Sequence, residues 1–324
     1  MAFDRQWWER LGQTREEQGF MPDYGQPLRF GISINPGAAD FGSTLDLARQ
    51  ADDMGLDYLA VQDHPYQPAH LDMWTLLTYL VAHTERISVV PDVADLQLRP
   101  PAMLANAAAS LAAMAGGRVQ LGVGSGSVPV LVASMGGEGR SGGEAVAYTE
   151  EAVGILRRAL RGETVRADTV HHRIAGYKAG PIPPEPIEVW VGAVKPKMLG
   201  LVGRAAQGWM CPMNVYVPPE EAARGHGLID VAARGAGRDP SEVRRIYNVV
   251  GAIESSRRSR VLAGTVKAWI DVLCRWAVGL GFDTFIFWPQ ADHAEQVKLF
   301  ADEIAPAVRD RVARLRDQPV TQVL

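Results

Sequence analysis

From residue 28 onward the apolar positions alternate between two patterns: short runs in which nearly every residue is hydrophobic, and longer stretches that repeat every three or four residues. The first pattern predicts a strand covered on both faces, the second a helix with one buried stripe. Arg29–Ile34 is the first such run. A helical pattern follows from near Ser43, with Leu45, Leu47, Ala48, Ala51 and Met54 on its apolar side, and Gly55 stops it. Seven more strands are predicted at 57–61, 87–91, 119–123, 187–191, Gly208–Cys211, 245–252 and 284–288. Helices are predicted between and after them at 72–82, 101–115, 143–160, 196–206, 219–236, 265–279 and 292–304. Eight successive β/α pairs predict parallel strands closed into an α/β fold of the (β/α)8 TIM-barrel type. An open doubly wound sheet is the other arrangement this order allows.

Two stretches break the rhythm. Residues 123–143 are rich in Gly and Ser, and 166–186 carry His171, His172, Tyr177 and four prolines. Segments this long in a compact barrel tend to line a site or form a small excursion. The first, inserted after strand 4, is expected to be an active-site loop, and the second, before strand 5, a hairpin. The domain reading is an N-terminal extension at 1–27, one barrel at 28–306 and a C-terminal tail at 307–324.

Composition narrows the partners. With 324 residues, 47% of them hydrophobic, the chain can bury one large core. A formal charge of -4 offers no basic field for a nucleic-acid backbone, so none is expected as a partner. No stretch reaches the ~20 apolar residues of a membrane span, and residues 1–20 lack the apolar core of a secretory signal. Cys211 and Cys274 sit in apolar surroundings and read as reduced thiols. A cytoplasmic location is therefore expected. The seven histidines show no zinc spacing, so no metal is expected.

In a barrel of this type chemistry gathers where the strands end. Strand 2 runs into Asp63-His64-Pro65-Tyr66, strand 3 into Asp92-Val93, strand 4 into Gly124-Ser125-Gly126-Ser127 and strand 8 into Trp288. His64 titrates near neutrality and is the candidate proton-transfer group, with Asp63 beside it as the candidate orienter. Taken alone, a histidine at a strand end more often holds backbone, and an Asp before His-Pro shapes a turn. Tyr66, Ser127 and Trp288 are candidate walls of a substrate pocket. After strand 5, Gly192-Ala193-Val194-Lys195-Pro196-Lys197-Met198 leads into a helix whose first N–H groups face outward, which suits a phosphate. Gly124 to Gly126 lack the complete dinucleotide fingerprint and its acidic residue, and read instead as a close-approach surface for a flat ring. The same glycines lack a nucleophile elbow, which leaves a serine hydrolase a distant third reading.

Longer stretches carry a family likeness. Ala60 to Pro65, Leu98 to Ala105, Gly116 to Gly126, Val191 to Ala193 followed by Gly203 to Trp209, and Gly281 to Pro289 resemble luciferase-like monooxygenases and their relatives that use the deazaflavin coenzyme F420. The likeness spans roughly 28–304. It implies a cofactor ring lying across the strand ends on a bulge after strand 3, often with a non-prolyl cis peptide, here at Asp92 and Val93. It also implies that His64 faces the reactive part of the ring and that 192–198 hold the phosphate. The implied function is hydride transfer between reduced F420 and a small organic substrate. FMN is the alternative cofactor, in a two-component monooxygenase served by a separate reductase, and a non-catalytic flavin or deazaflavin binder is the alternative from another class. A homodimer is also implied. Ser127 departs from the glutamate of the family's sugar-phosphate dehydrogenases, and Val194-Lys195 stand where many relatives place glycines. Lys195, Lys197 and Arg140 are placed to meet the acidic tail of a deazaflavin.

Overall fold

A computed structural model of the chain describes residues 23–254 and 261–317. Most of the extension expected at 1–27 and the end of the tail expected at 307–324 lie outside the described residues. The strands are β1 (Arg29–Ile34), β2 (Tyr58–Val61), β3 (Ser88–Pro91), β4 (Ala94–Asp95), β5 (Leu121–Gly124), β6 (Thr164–Asp168), β7 (Arg173–Lys178), β8 (Val189–Gly192), β9 (Gly208–Cys211), β10 (Arg244–Ile253), β11 (Leu262–Gly264) and β12 (Thr284–Pro289). Parallel pairing runs in the order β3-β2-β1-β12-β10-β9-β8-β5. A parallel bridge between Val89 and Val119 brings β3 against the approach to β5 and completes the ring. These eight strands are the eight expected, and closure rules out the open sheet. The two-residue β4 adds to β5, and β11 adds to β10.

The helices are α1 (Phe41–Asp53), α2 (Met73–Val81), α3 (Pro101–Met114), α4 (Pro129–Ser134), α5 (Gly142–Leu160), α6 (Pro196–Ala205), α7 (Pro219–Gly235), α8 (Val266–Arg275), α9 (His293–Leu299) and α10 (Ala305–Arg316). Helices α8 and α9 each run on into a π-helical turn, at Trp276–Leu280 and Phe300–Ile304. The 166–186 segment is the expected excursion, with β6 and β7 pairing antiparallel. The 123–143 segment is less irregular than expected, because Pro129 starts the short helix α4 inside it. The boundary expected at 306 also moves. Helix α10 crosses it and buries Val308 and Val312 in the core, so the chain stays packed on the barrel to Arg316.

Two apolar layers result. One lies between strands and helices, and the other fills the barrel with inward-pointing Tyr58, Ala60, Val90, Trp190, Met210, Ile246 and Ile286. Tyr58 and Trp190 meet edge to face at 5.3 Å and plug the interior. A ligand can therefore enter only at the far end, where the strands terminate. Among the described residues no helix is long and apolar enough to cross a membrane.

Candidate active site at the barrel mouth

A cavity of about 1020 Å³ opens at the C-terminal ends of the strands. Its wall includes Asp63, His64 and Tyr66 after β2, Asp92 and Val93 after β3, Gly124 to Ser127 after β5, Gly192 to Met198 after β8, and Trp288 in β12. All the residues singled out in the sequence thus face one space, of a size that holds a cofactor-sized ligand.

On the β2 side, His64 is half-buried, and its Nδ1 lies 2.7 Å from the Tyr66 hydroxyl. Burial pushes the His64 pKa below its ordinary value, with the field of Asp63 pulling it up and that of His70 pushing it further down. The imidazole is consequently neutral at pH 7. Asp63 does not orient it, contrary to expectation. Its Oδ2 accepts from Arg99 Nε at 2.7 Å and from the Asp95 N–H at 3.0 Å, and its Oδ1 accepts from Arg99 Nη2 at 2.8 Å. Such a bidentate, buried arginine pair is geometrically demanding, so Asp63 reaches His64 through its field alone. The contact with His64 that was expected of Asp63 is made by Tyr66, two residues on.

At the centre of the mouth the Asp92-Val93 peptide is cis, as the family likeness implied. Val93 explains the glycines around it. A Cβ on Gly124 would sit 2.6 Å from Val93 Cγ2, and one on Gly192 would sit 3.4 Å from the same methyl. Gly126, at φ +84, would meet Gln97 Nε2 at 2.8 Å. Gly124 and Gly126 therefore make room for protein side chains, and both also line the cavity. The effect is to fix Val93 as an apolar shelf.

Below that shelf is a polar group the sequence did not flag. Asn248, inside the apolar run of β10, accepts from Trp288 Nε1 at 2.6 Å and donates to Cys211 O at 3.1 Å and to Asp92 Oδ1 at 3.3 Å. The Trp288 donor and Cys211 acceptor define which end of the amide is which. Asp92 lines the cavity, yet its Oδ2 is enclosed and has no partner among the described residues. Burial pushes its pKa up to about 7, opposed by the hydrogen bond from Asn248. A lone amide among apolar strand residues was the available signal.

The opposite rim is formed by helix starts. Lys195 precedes α6 and Ser141 precedes α5, and neither side chain caps its helix. Ser141, Gly142 and Gly143 line the cavity together with 192–198, so two sets of free N–H groups border it. Lys197 Nζ comes within 3.9 Å of where a Cβ on Gly143 would stand. Arg140 lines the cavity too, but it pairs with Glu138, has Glu144 Oε1 at 3.5 Å and stacks over Tyr148 at 4.4 Å. Glu138 and Glu144 thus offset its charge at the cavity wall.

A plugged parallel barrel with a histidine, an apolar shelf and uncapped helix starts at its mouth defines a class: an α/β barrel whose cavity opens at the C-terminal ends of its strands, where barrel enzymes carry their sites. The chain belongs to the luciferase-like monooxygenase family, whose description matches residues 21–302. An F420-dependent glucose-6-phosphate dehydrogenase of Kineococcus radiotolerans is 29% identical over 70% of this chain and 68% of its own. A 5,10-methylenetetrahydromethanopterin reductase of Methanolobus tindarius is 31% identical over 60% of this chain and 57% of its own. Among solved structures, an F420-dependent secondary alcohol dehydrogenase in complex with an F420-acetone adduct superposes with a TM-score of 0.77 over 88% of this chain and all of its own, at 18% identity.

Proposed function

We propose that this chain is an F420-dependent oxidoreductase that transfers a hydride between the deazaflavin and a small organic carbonyl or alcohol. The observation that carries this reading is the Val93 shelf, wedged between Gly124 and Gly192, with uncapped helix starts at the same mouth. That combination fits a flat ring on an apolar seat with its phosphate at the rim. The names of the curated relatives favour F420 over FMN. When bound, the reduced deazaflavin supplies a hydride. The chain's own residues do the rest: Val93 and Trp288 present an apolar wall, 193–198 and 141–143 hold the phosphate through N–H groups, and His64 exchanges a proton with the substrate oxygen. Ser127 stands where the family's sugar-phosphate dehydrogenases carry a glutamate, so His64 is the proton group and Asp63 keeps Arg99 in place.

The test is anaerobic titration of the purified protein with F420 and with FMN across a salt series. F420 is expected to bind more tightly and to weaken more steeply with salt, because its tail carries further carboxylates toward Lys195 and Lys197. Tighter FMN binding, with oxygen consumed on adding reduced FMN and substrate, overturns the choice and brings in a separate reductase. Binding of F420 with no turnover of any carbonyl or alcohol leaves a binding protein. A cytoplasmic homodimer completes the proposal. Helices α2 and α3 contain no charged residue and expose Tyr79, Met103 and Met114, which suits burial against a second copy. Sedimentation should give a dimer for the parent and a monomer for the Met103→Lys, Met114→Lys double variant; a monomeric parent refutes it.

A further inference from the structure

His64 is asked to move a proton in a place that resists its charge. Burial lowers its pKa, and the nearest carboxylate, Asp63, has both oxygens held by Arg99. What His64 does have is Tyr66. The hydroxyl lies 2.7 Å from Nδ1, and burial raises the phenol pKa, with Asp95 and Asp63 adding to that and the neighbouring Ser127 hydroxyl pulling the other way. A phenol kept protonated has one proton to donate. At that distance the phenol can donate to His64 Nδ1, and a ring that accepts there carries its proton on Nε2. Tyr66 itself lines the cavity, in reach of water.

We propose that Tyr66 is the relay through which His64 passes a proton while its ring stays neutral. The proposal rests on the reading of His64 as the proton-transfer group. In the reducing direction, the substrate carbon gains a hydride and its C=O π bond breaks. The oxygen takes the proton from His64 Nε2, Nδ1 takes the proton of the Tyr66 hydroxyl, and Tyr66 recovers one from water in the cavity. Substrate gains two electrons from the hydride donor and one proton from solvent, and His64 ends as the other tautomer. Return of the ring to the Nε2–H form resets the relay. The charged or titratable groups bearing on it are Asp63 and His70 at His64, and Asp95 and Asp63 at Tyr66. Tyr66 is a positioning and relay residue, acting through His64.

Two measurements decide it. The first is ¹⁵N NMR of His64 in the free protein, assigned with His64→Gln. The parent should show the Nε2–H tautomer, and Tyr66→Phe, which removes only the hydroxyl, should show a mixture. A parent in the Nδ1–H form overturns the relay without needing any variant or ligand. The second is carbonyl reduction with reduced F420 as a function of pH. Tyr66→Phe should lose ~10²-fold at neutral pH and fall a further ~10-fold per pH unit above the His64 pKa, because only imidazolium can then donate; the parent should stay flat. An unchanged pH profile in Tyr66→Phe overturns the relay. If F420 supports no turnover, the functional reading fails, and the tautomer measurement still tells whether Tyr66 directs the His64 proton.

Discussion

The two ends of the barrel treat polar groups in opposite ways. At the plugged end, polar side chains are used up on one another and on backbone. Asp52, at the end of α1, accepts N–H groups from Glu85, Arg86 and Ile87 at 2.6 to 2.8 Å. Arg118, before β5, donates to the carbonyls of Val81, Thr84, Ile87 and Ala115. Asp283, before β12, takes Arg244 Nη1 at 3.0 Å and the Arg245 N–H at 2.7 Å. At the mouth the pattern reverses. Helices α5 and α6 begin without side-chain caps, Asp92 Oδ2 has no partner among the described residues, and Lys195 and Lys197 are exposed. One end satisfies the chain and gives stability; the other leaves donors and acceptors for a ligand.

The sharpest way to break that contrast is His64→Ala. It should cut kcat/KM by at least ~10²-fold, the scale of lost acid-base help, while thermal stability stays unchanged. Equal turnover in variant and parent removes His64 from the chemistry. Next comes Asp52→Ala, which leaves three backbone N–H groups without their acceptor and should cost ~2 to 3 kcal/mol in denaturant unfolding. Cofactor affinity should not change, and a shifted Kd would show that the two ends are coupled.

The two aspartates should also give opposite pH slopes in stability. Asp52 is lowered from its ordinary 3.8: burial raises it, but the three N–H bonds more than offset that. Its contribution is present above pH 4 and is lost as pH falls through the depressed folded value. Asp92 is raised by burial to about 7, so the folded chain binds more protons than the unfolded one between pH 4 and 7, and stability falls as pH rises across that window. Asp283, at the plugged end, is raised by burial to about 6 and adds a slope of the same sign below that value. Asp92→Asn should therefore flatten the slope between pH 6 and 7, and Asp52→Asn the acid limb alone. Melting curves across pH settle it, and a slope between pH 6 and 7 left unchanged in Asp92→Asn refutes the assignment.

The smallest effects belong to the rim. An alanine methyl fits at Gly192, 3.4 Å from Val93, but the branches of valine do not, and Gly192→Val should weaken cofactor binding ~10-fold by displacing the shelf. Lys195→Ala or Lys197→Ala should cost ~3-fold at most, because exposed ammonium groups are screened and replaceable. Calorimetry giving either lysine nearly all the affinity would shift the phosphate site from backbone to side chains.

The periodicity of the chain was enough to read the eight strands and the position of the mouth, and its interruption at 166–186 to expect a hairpin, because apolar runs and helical stripes are local signals that tertiary packing rarely reverses in a fully covered barrel. The mouth residues could be named from the sequence because the fold puts every strand end at one place. Their partners could not. Asp63 sits next to His64 in sequence yet pairs with Arg99, while Tyr66 reaches Nδ1, since a side chain's partner depends on the direction of its Cβ and on what another strand brings near. Asn248 lies 156 residues from Asp92 and 40 from Trp288, and joins them only because β3, β10 and β12 end around one cavity. The glycines show the same division. Sequence marked 124–126 and 192 as places where something approaches closely, and only the folded chain decided that much of that room belongs to Val93 and Gln97, because vacancy at a Cβ is filled by whichever neighbour the barrel's closure delivers.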